Sequence, residues 1–171
     1  DYDLGDESLM AGHAKVEAAE LVVGRMRYKL VVVPPCVTLR QSTLKLLEAF
    51  QQAGGSVVFV GRLPQRMEGD VSEAASPLFE KAHRCRHPEE LPAVLDELLP
   101  RKLSIREESQ HEADFVWALN QQTGEGQWLF VQSHDRRQAR RIVCRLATAD
   151  GGPVILWDAM TGRRFTLPVE W

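Results

Sequence analysis

Four consecutive apolar residues, Leu30-Val31-Val32-Val33, run into Pro34-Pro35 and restrict the possible folds of this chain more than any other feature. A short unbroken apolar run is what a strand covered on both faces requires, and two prolines, which have no N–H to give to a ladder, stop it. Beyond them, Leu44, Leu47, Ala49 and Phe50 recur at helical spacing. Ser42 or Thr43 offers a hydroxyl cap for that helix, and Gly54-Gly55 a left-handed stop. A second apolar run, Ser56-Val57-Val58-Phe59-Val60, ends at Gly61. Strand, helix and strand joined by short connections make a βαβ unit, with parallel strands and a right-handed crossover.

Around this nucleus the signals are weaker. Residues 15–23 alternate loosely and, with Gly24 as a turn, predict a short strand or hairpin. Residues 61–73 are polar and rich in turn formers, and read as a loop over the carboxyl end of the sheet. Residues 76–81 suit one helical turn. Glu89-Glu90 opens a clearer helix, with Leu91, Val94, Leu95, Leu98 and Leu99 on one side and Pro100 at its close.

After Pro100 the period changes from helical to two. Segments 102–107, 115–121, 127–132, 141–147 and 154–158 each alternate like strands, separated by Thr-Gly-Glu-Gly, His-Asp-Arg-Arg and Asp-Gly-Gly-Pro turns. The expected organisation is an α/β domain over residues 1–100 and a partial antiparallel β-sandwich over residues 101–171, too short to close by itself.

Composition narrows the function. The chain has 171 residues, 44% of them apolar and 26% charged, which suits an ordinary globular protein. A net charge of -3 argues against a general nucleic-acid partner, since neutralising phosphates needs a surplus of Lys and Arg. The densest basic stretch, Arg136, Arg137, Arg140 and Arg141, reads as a solvated strand edge or turn. No apolar run approaches the ~18 residues of a membrane span, so no membrane partner is expected. Cys36, Cys85 and Cys144 are too far apart for a metal motif or a disulfide framework, and read as reduced, mostly buried thiols. The start, Asp1-Tyr2-Asp3-Leu4, has neither a basic nor an apolar targeting region and no initiator Met. It is expected to begin an excised or processed segment, and the compartment is not legible from it.

Several of these residues carry a resemblance. The Asp1-Tyr2-Asp3 entry, the turn at residues 24–28, the strand ending in Pro34-Pro35, the helix of residues 43–50 and the segment 53–61 resemble the class I glutamine-amidotransferase-like domain of large glycoside hydrolases, such as the trimerisation domain of β-galactosidases and its counterpart in rhamnosidase-like enzymes. The second half resembles the β-sandwich that follows in such enzymes, with residues 128–134 as one strand and Trp157-Asp158-Ala159-Met160-Thr161-Gly162 as a hairpin. The resemblance implies a flavodoxin-like parallel sheet with flanking helices. It also implies that a central strand ahead of Leu30 is missing, leaving backbone groups along Leu30–Val33 for a neighbour to pair. Active amidotransferases place a cysteine on a tight elbow after a strand, where backbone amides hold an oxyanion. The equivalent position here is Phe59, which has no nucleophile to offer.

The remaining candidates are weighed on their own chemistry. Cys36 follows a strand at the carboxyl edge of a parallel sheet, where ligands of α/β folds bind, but two prolines precede it and no glycine permits an elbow. His83, Cys85 and His87 alternate as metal ligands on one strand would, with Glu89 or Glu90 nearby, but Arg84 and Arg86 are interleaved and a short edge strand before a helix is the better account of them. Asp1, Asp3, Asp6 and Glu7, and later Glu107-Glu108, are acidic groups without a fixed partner for glycosidase chemistry. Of the four tryptophans, Trp117 and Trp128 are expected in a sandwich core, while Trp128 and Trp171 are the candidate sugar contacts. The expected function is thus a non-catalytic accessory or assembly module of a larger glycoside hydrolase in carbohydrate degradation, with no cofactor. Its partners are expected to be other domains of the parent enzyme, a second copy of the chain, or carbohydrate. The alternatives are a carbohydrate-binding module using its tryptophans and a Cys36-dependent amidase or hydrolase.

Overall fold

The computed structural model describes residues 2–71, 77–124, 126–147 and 151–170. Mixed helices and strands, with a small parallel sheet and several antiparallel ones, place the chain in the α/β class. It divides into two compact units, Asp1–Pro100 and Arg101–Trp171.

The first unit opens with helix α1 (Glu7–His13), capped by Asp6, whose carboxylate accepts the backbone N–H groups of Ser8 and Leu9. A three-stranded antiparallel meander follows, β1 (Ala14–Glu17), β2 (Glu20–Val23) and β3 (Met26–Tyr28). Its first turn holds Ala18 and Ala19 at φ 47° and 64°, left-handed values without glycine's freedom.

Strand β4 (Leu30–Val33) then enters the parallel sheet. A two-residue strand, β5 (Thr38–Leu39), and helix α2 (Gln41–Gln52) lead back to β6 (Ser56–Val60), which pairs in parallel with β4 from Leu30 opposite Ser56 to Val33 opposite Phe59. This is the βαβ unit the apolar runs predict. Neither Ser42 nor Thr43 caps the helix: its first residue is Gln41, and Thr43 lies buried inside it. Carboxylates from elsewhere in the chain do that work instead. Glu68 accepts the N–H of Gln41, and Glu7 accepts that of Arg40, each at 2.9 Å. Gly54, at φ 100°, turns the chain out of the helix, and a Cβ on Gly55 would lie 2.1 Å from the Phe50 ring.

Strands β7 (Arg66–Met67) and β8 (Asp70–Val71) form a small sheet with β5, so the segment expected as plain loop carries paired backbone. Part of that segment, residues 72–73, and Ser76 of the expected helical turn lie outside the described residues. Helix α3 (Pro77–Lys81) leads to β9 (His83–Cys85), which pairs in parallel with β6. A 3-10 turn, Pro88–Glu90, opens α4 (Leu91–Leu98). Leu99 does not join its apolar side: Pro100 disfavours helical geometry in the residue before it, and Leu99 is extended and exposed.

The order β4-β6-β9 gives a sheet with helices on both faces. On one face Val33, Val57 and Phe59 are buried with Leu47 and Phe50 of α2, Leu78 of α3 and Leu21 of β2. On the other, Val58, Val60 and Cys85 are covered by Leu91, Val94 and Leu98 of α4. Full burial of such side chains contributes about 1.5–3 kcal/mol each, so this double-sided packing fixes the unit. The outer edge of β4 has no strand paired to it among the described residues.

The second unit is antiparallel throughout. Strand β10 (Leu103–Glu107) pairs with β13 (Ile142–Leu146), β11 (Val116–Thr123) with β12 (Gly126–Ser133), and β14 (Ile155–Trp157) with β15 (Arg164–Thr166). These are three separate two-stranded ribbons among the described residues. Trp117 and Trp128, expected in a core, are 65% and 47% exposed; the β14–β15 ribbon reaches Trp128 through Trp157 but leaves much of the ring open.

Candidate functional site

The carboxyl edge of the parallel sheet is where an α/β fold would hold a ligand. Cys36 lies there, partly buried among the apolar residues packed on Val33 and Phe59. Burial first, and the Glu7 carboxylate second, push its thiol above the ordinary range. That is the reverse of an activated nucleophile. Phe59 is buried and meets Phe79 edge to face with ring centroids 5.4 Å apart, so its side chain is core rather than site. A shallow depression of about 400 Å³, bordered by Ala18, Lys29 and Ser56, opens at the amino end of β6, away from that edge.

The other candidates are committed to local structure. Asp3 accepts the Tyr28 hydroxyl at 2.8 Å, which raises the phenol's pKa. Asp6 and Glu7 are spent on helix starts, Glu107 pairs with Arg140 at 2.7 Å and Glu108 with Arg141 at 2.9 Å. Asp1 lies outside the described residues. Glu107 and Asp135 both pair with Arg140, and Glu17 and Glu20 with Arg27, so these acids come together around a guanidinium. Cys85 is buried under α4 whereas His83 and His87 are exposed, and no group of three metal-ligating side chains occurs among the described residues. The basic stretch lies outside the strands, and half of it is paired: Arg140 also bonds Asp135 at 3.0 Å and sits 4.8 Å from the centroid of Phe115. Cys144, expected to be buried, is exposed on β13.

The arrangement that sequence reasoning missed is aromatic. Trp128 on β12 and Trp157 on β14 meet edge to face at 5.1 Å, and the Arg164 guanidinium lies 4.0 Å over the Trp157 ring. Arg164 is the residue directly opposite Trp157 in the β14–β15 register. That register is set by the intervening loop. Asp158 accepts the Thr161 hydroxyl at 2.6 Å and the Met160 N–H at 2.9 Å, while Gly162, at φ 68°, donates to the Asp158 carbonyl. The hydroxyl bond, then the backbone bond, holds the Asp158 carboxyl below its ordinary range. Trp157 is 51% exposed, so the pair presents aromatic surface next to a guanidinium. Only Trp128 of this group was legible as a candidate, and the Trp-Asp-x-x-Thr-Gly spacing was the available signal for the rest. Trp171, the other candidate sugar contact, lies outside the described residues.

Each face of the β11–β12 ribbon carries an apolar cluster. Trp117, Leu119, Trp128 and Phe130 share one face, and Val116, Ala118, Leu129 and Val131 the other. Comparison with family models, curated proteins and solved structures finds no match to this chain.

Proposed function

We propose that this chain is a non-catalytic accessory or assembly module of a larger glycoside hydrolase that degrades carbohydrate. In this reading the first unit is a flavodoxin-like, amidotransferase-related domain without its nucleophile. The second is part of an antiparallel β-sandwich, and the partners are other domains of the parent enzyme. The observation that carries the assembly half is surface left open. Ala113 is the one buried apolar residue of the second unit among those described. The chain exposes 13230 Å², where two independent compact globules of these sizes would expose about 10,000 Å² together. Such an excess of surface, much of it apolar in the second unit, is expected of a protein that buries it against a partner. The free edge of β4 supports the same reading, as a place for a further strand of the sheet.

Support for the non-catalytic half comes from Phe59, buried where the resembled enzymes carry a cysteine, and from Cys36, whose thiol is pushed above its ordinary range by burial. The parentage rests on the residue resemblance alone. Its test is to assay the complete reading frame that carries these residues on aryl glycosides beside the isolated 171-residue chain. Hydrolysis by the complete protein and none by the chain is expected. Hydrolysis by the chain that a single carboxylate substitution abolishes would overturn the reading.

One observation favours a second reading, a carbohydrate-binding module: the exposed Trp128–Trp157 pair with Arg164 offers ring faces for a pyranose and a donor for its hydroxyls. Calorimetric titration of the folded chain with neutral and acidic oligosaccharides, showing no heat of binding, removes it.

A further inference from the structure

We propose that the outer edge of β12 is a self-association surface, to which a second copy of this chain adds its own β12 in antiparallel register. The inference deepens the assembly reading and rests on it, but its argument is local to one strand. An edge strand exposes a row of unpaired N–H and C=O groups, and natural proteins blunt such edges with lysine, proline, bulges or brevity. Strand β12 has none of these devices: it is eight residues long, pairs with β11 in unbroken register and contains neither a charged residue nor a proline. No backbone bond reaches its outer edge from the rest of the described chain.

The occupant follows from the order of the residues. The strand reads Gly-Gln-Trp-Leu-Phe-Val-Gln-Ser, apolar in its middle four and polar at both ends. Turned antiparallel on itself about Phe130, it sets Phe130 against the other copy's Phe130 and Leu129 beside the other copy's Val131. Trp128 then lies beside the other copy's Gln132, and Gln127 beside the other copy's Ser133. Apolar residues meet in the middle, polar ones toward the ends, and no like charges are brought together. A two-fold contact requires just this self-complementarity. The neighbouring strand β11 lacks it, because turned about Leu119 its apolar residues 116–118 would be set against its own polar residues 120–122. Pairing two ribbons in this way yields a four-stranded sheet, long enough to be stable where a lone hairpin is marginal. A standard interface takes about 800 Å² from each partner, well within the roughly 3,000 Å² by which this chain exceeds compact globules.

The test is sedimentation equilibrium of the 171-residue chain from micromolar to submillimolar concentration, with hydrogen exchange in the associated state. A dimer is expected, with alternate amides of β12 newly protected and those of β11 unchanged. Phe130→Lys, on an exposed side chain near the two-fold, should weaken the dimer about tenfold or more. Leu119→Lys alters the same face on the other strand, opposite Phe130 in the ribbon, and should leave the dimer intact. A chain monomeric throughout overturns the proposal, as does association without new protection in β12, or equal weakening by both substitutions. The exchange measurement needs no variant, so a poorly folding Phe130→Lys does not rescue the idea. Failure removes this contact and leaves the parentage to the glycosidase assay of the complete reading frame.

Discussion

At the scale of single residues, the contrast that matters is between Phe59 and Cys36. A phenylalanine in the middle of a central strand contributes packing. Phe59→Ala removes the ring that meets Phe79 and opens a cavity under α2, and should destabilise the chain by about 3–5 kcal/mol, read as a lower midpoint in urea. If Phe59 bordered a functional cleft instead, the loss would be small. Cys36 carries the opposite expectation. With its pKa raised by burial and by Glu7, its thiolate appears only above the pH at which an ordinary cysteine ionises. Its modification by iodoacetamide at neutral pH should therefore be slower than that of a free cysteine. Faster modification would restore it as a nucleophile candidate. The carboxylates teach the same lesson: Asp3, Asp6, Glu7, Glu107 and Glu108 looked unattached in sequence because their partners lie up to 33 residues away, as Arg40 does from Glu7 and Arg140 from Glu107.

At the scale of elements, legibility followed the range of the forces involved. The βαβ nucleus was visible because Leu30–Val33, Ser56–Val60 and the 44/47/50 stripe are local patterns that tertiary packing then reinforced. Strands β10 to β14 were visible through alternation. Helix α1 was not, because only the Asp6 cap announces it and its own seven residues bury nothing. Strand β15 was not, because Arg164-Phe165-Thr166 alone cannot be distinguished from a loop; its pairing depends on the Asp158 turn. That turn has a pH signature. Because the folded Asp158 carboxyl is depressed by its bonds from Thr161 and Met160, its contribution to the hairpin is present above the unfolded pKa and lost as pH falls through the folded one. The backbone amides of β14 and β15 should therefore exchange faster in acid, and Asp158→Asn should flatten that dependence. An Asn variant with the same acid loosening would mean that another group controls the hairpin. The Trp157–Arg164 contact was illegible for the same reason as β15, since two residues seven apart become neighbours only once the register is set.

At the scale of the whole molecule, the two units differ in completeness. The first buries a sheet between helices on both faces, with Phe50, Phe59, Leu47 and Val58 almost fully removed from water. The second pairs its backbone in ribbons but leaves Trp117, Leu119, Phe130, Leu156 and Phe165 exposed. Paired strands without covered faces have little apolar burial to set against the entropy of ordering them. On the proposed reading, residues 1–100 are finished as a fold and residues 101–171 are finished only with a partner. Native-state hydrogen exchange of the chain, dilute enough to be monomeric, measures this directly. Amides of β4, β6 and α2 should exchange orders of magnitude more slowly than those of β10 to β15. Protection in β10 to β15 equal to that of β6, in the monomer, would contradict it.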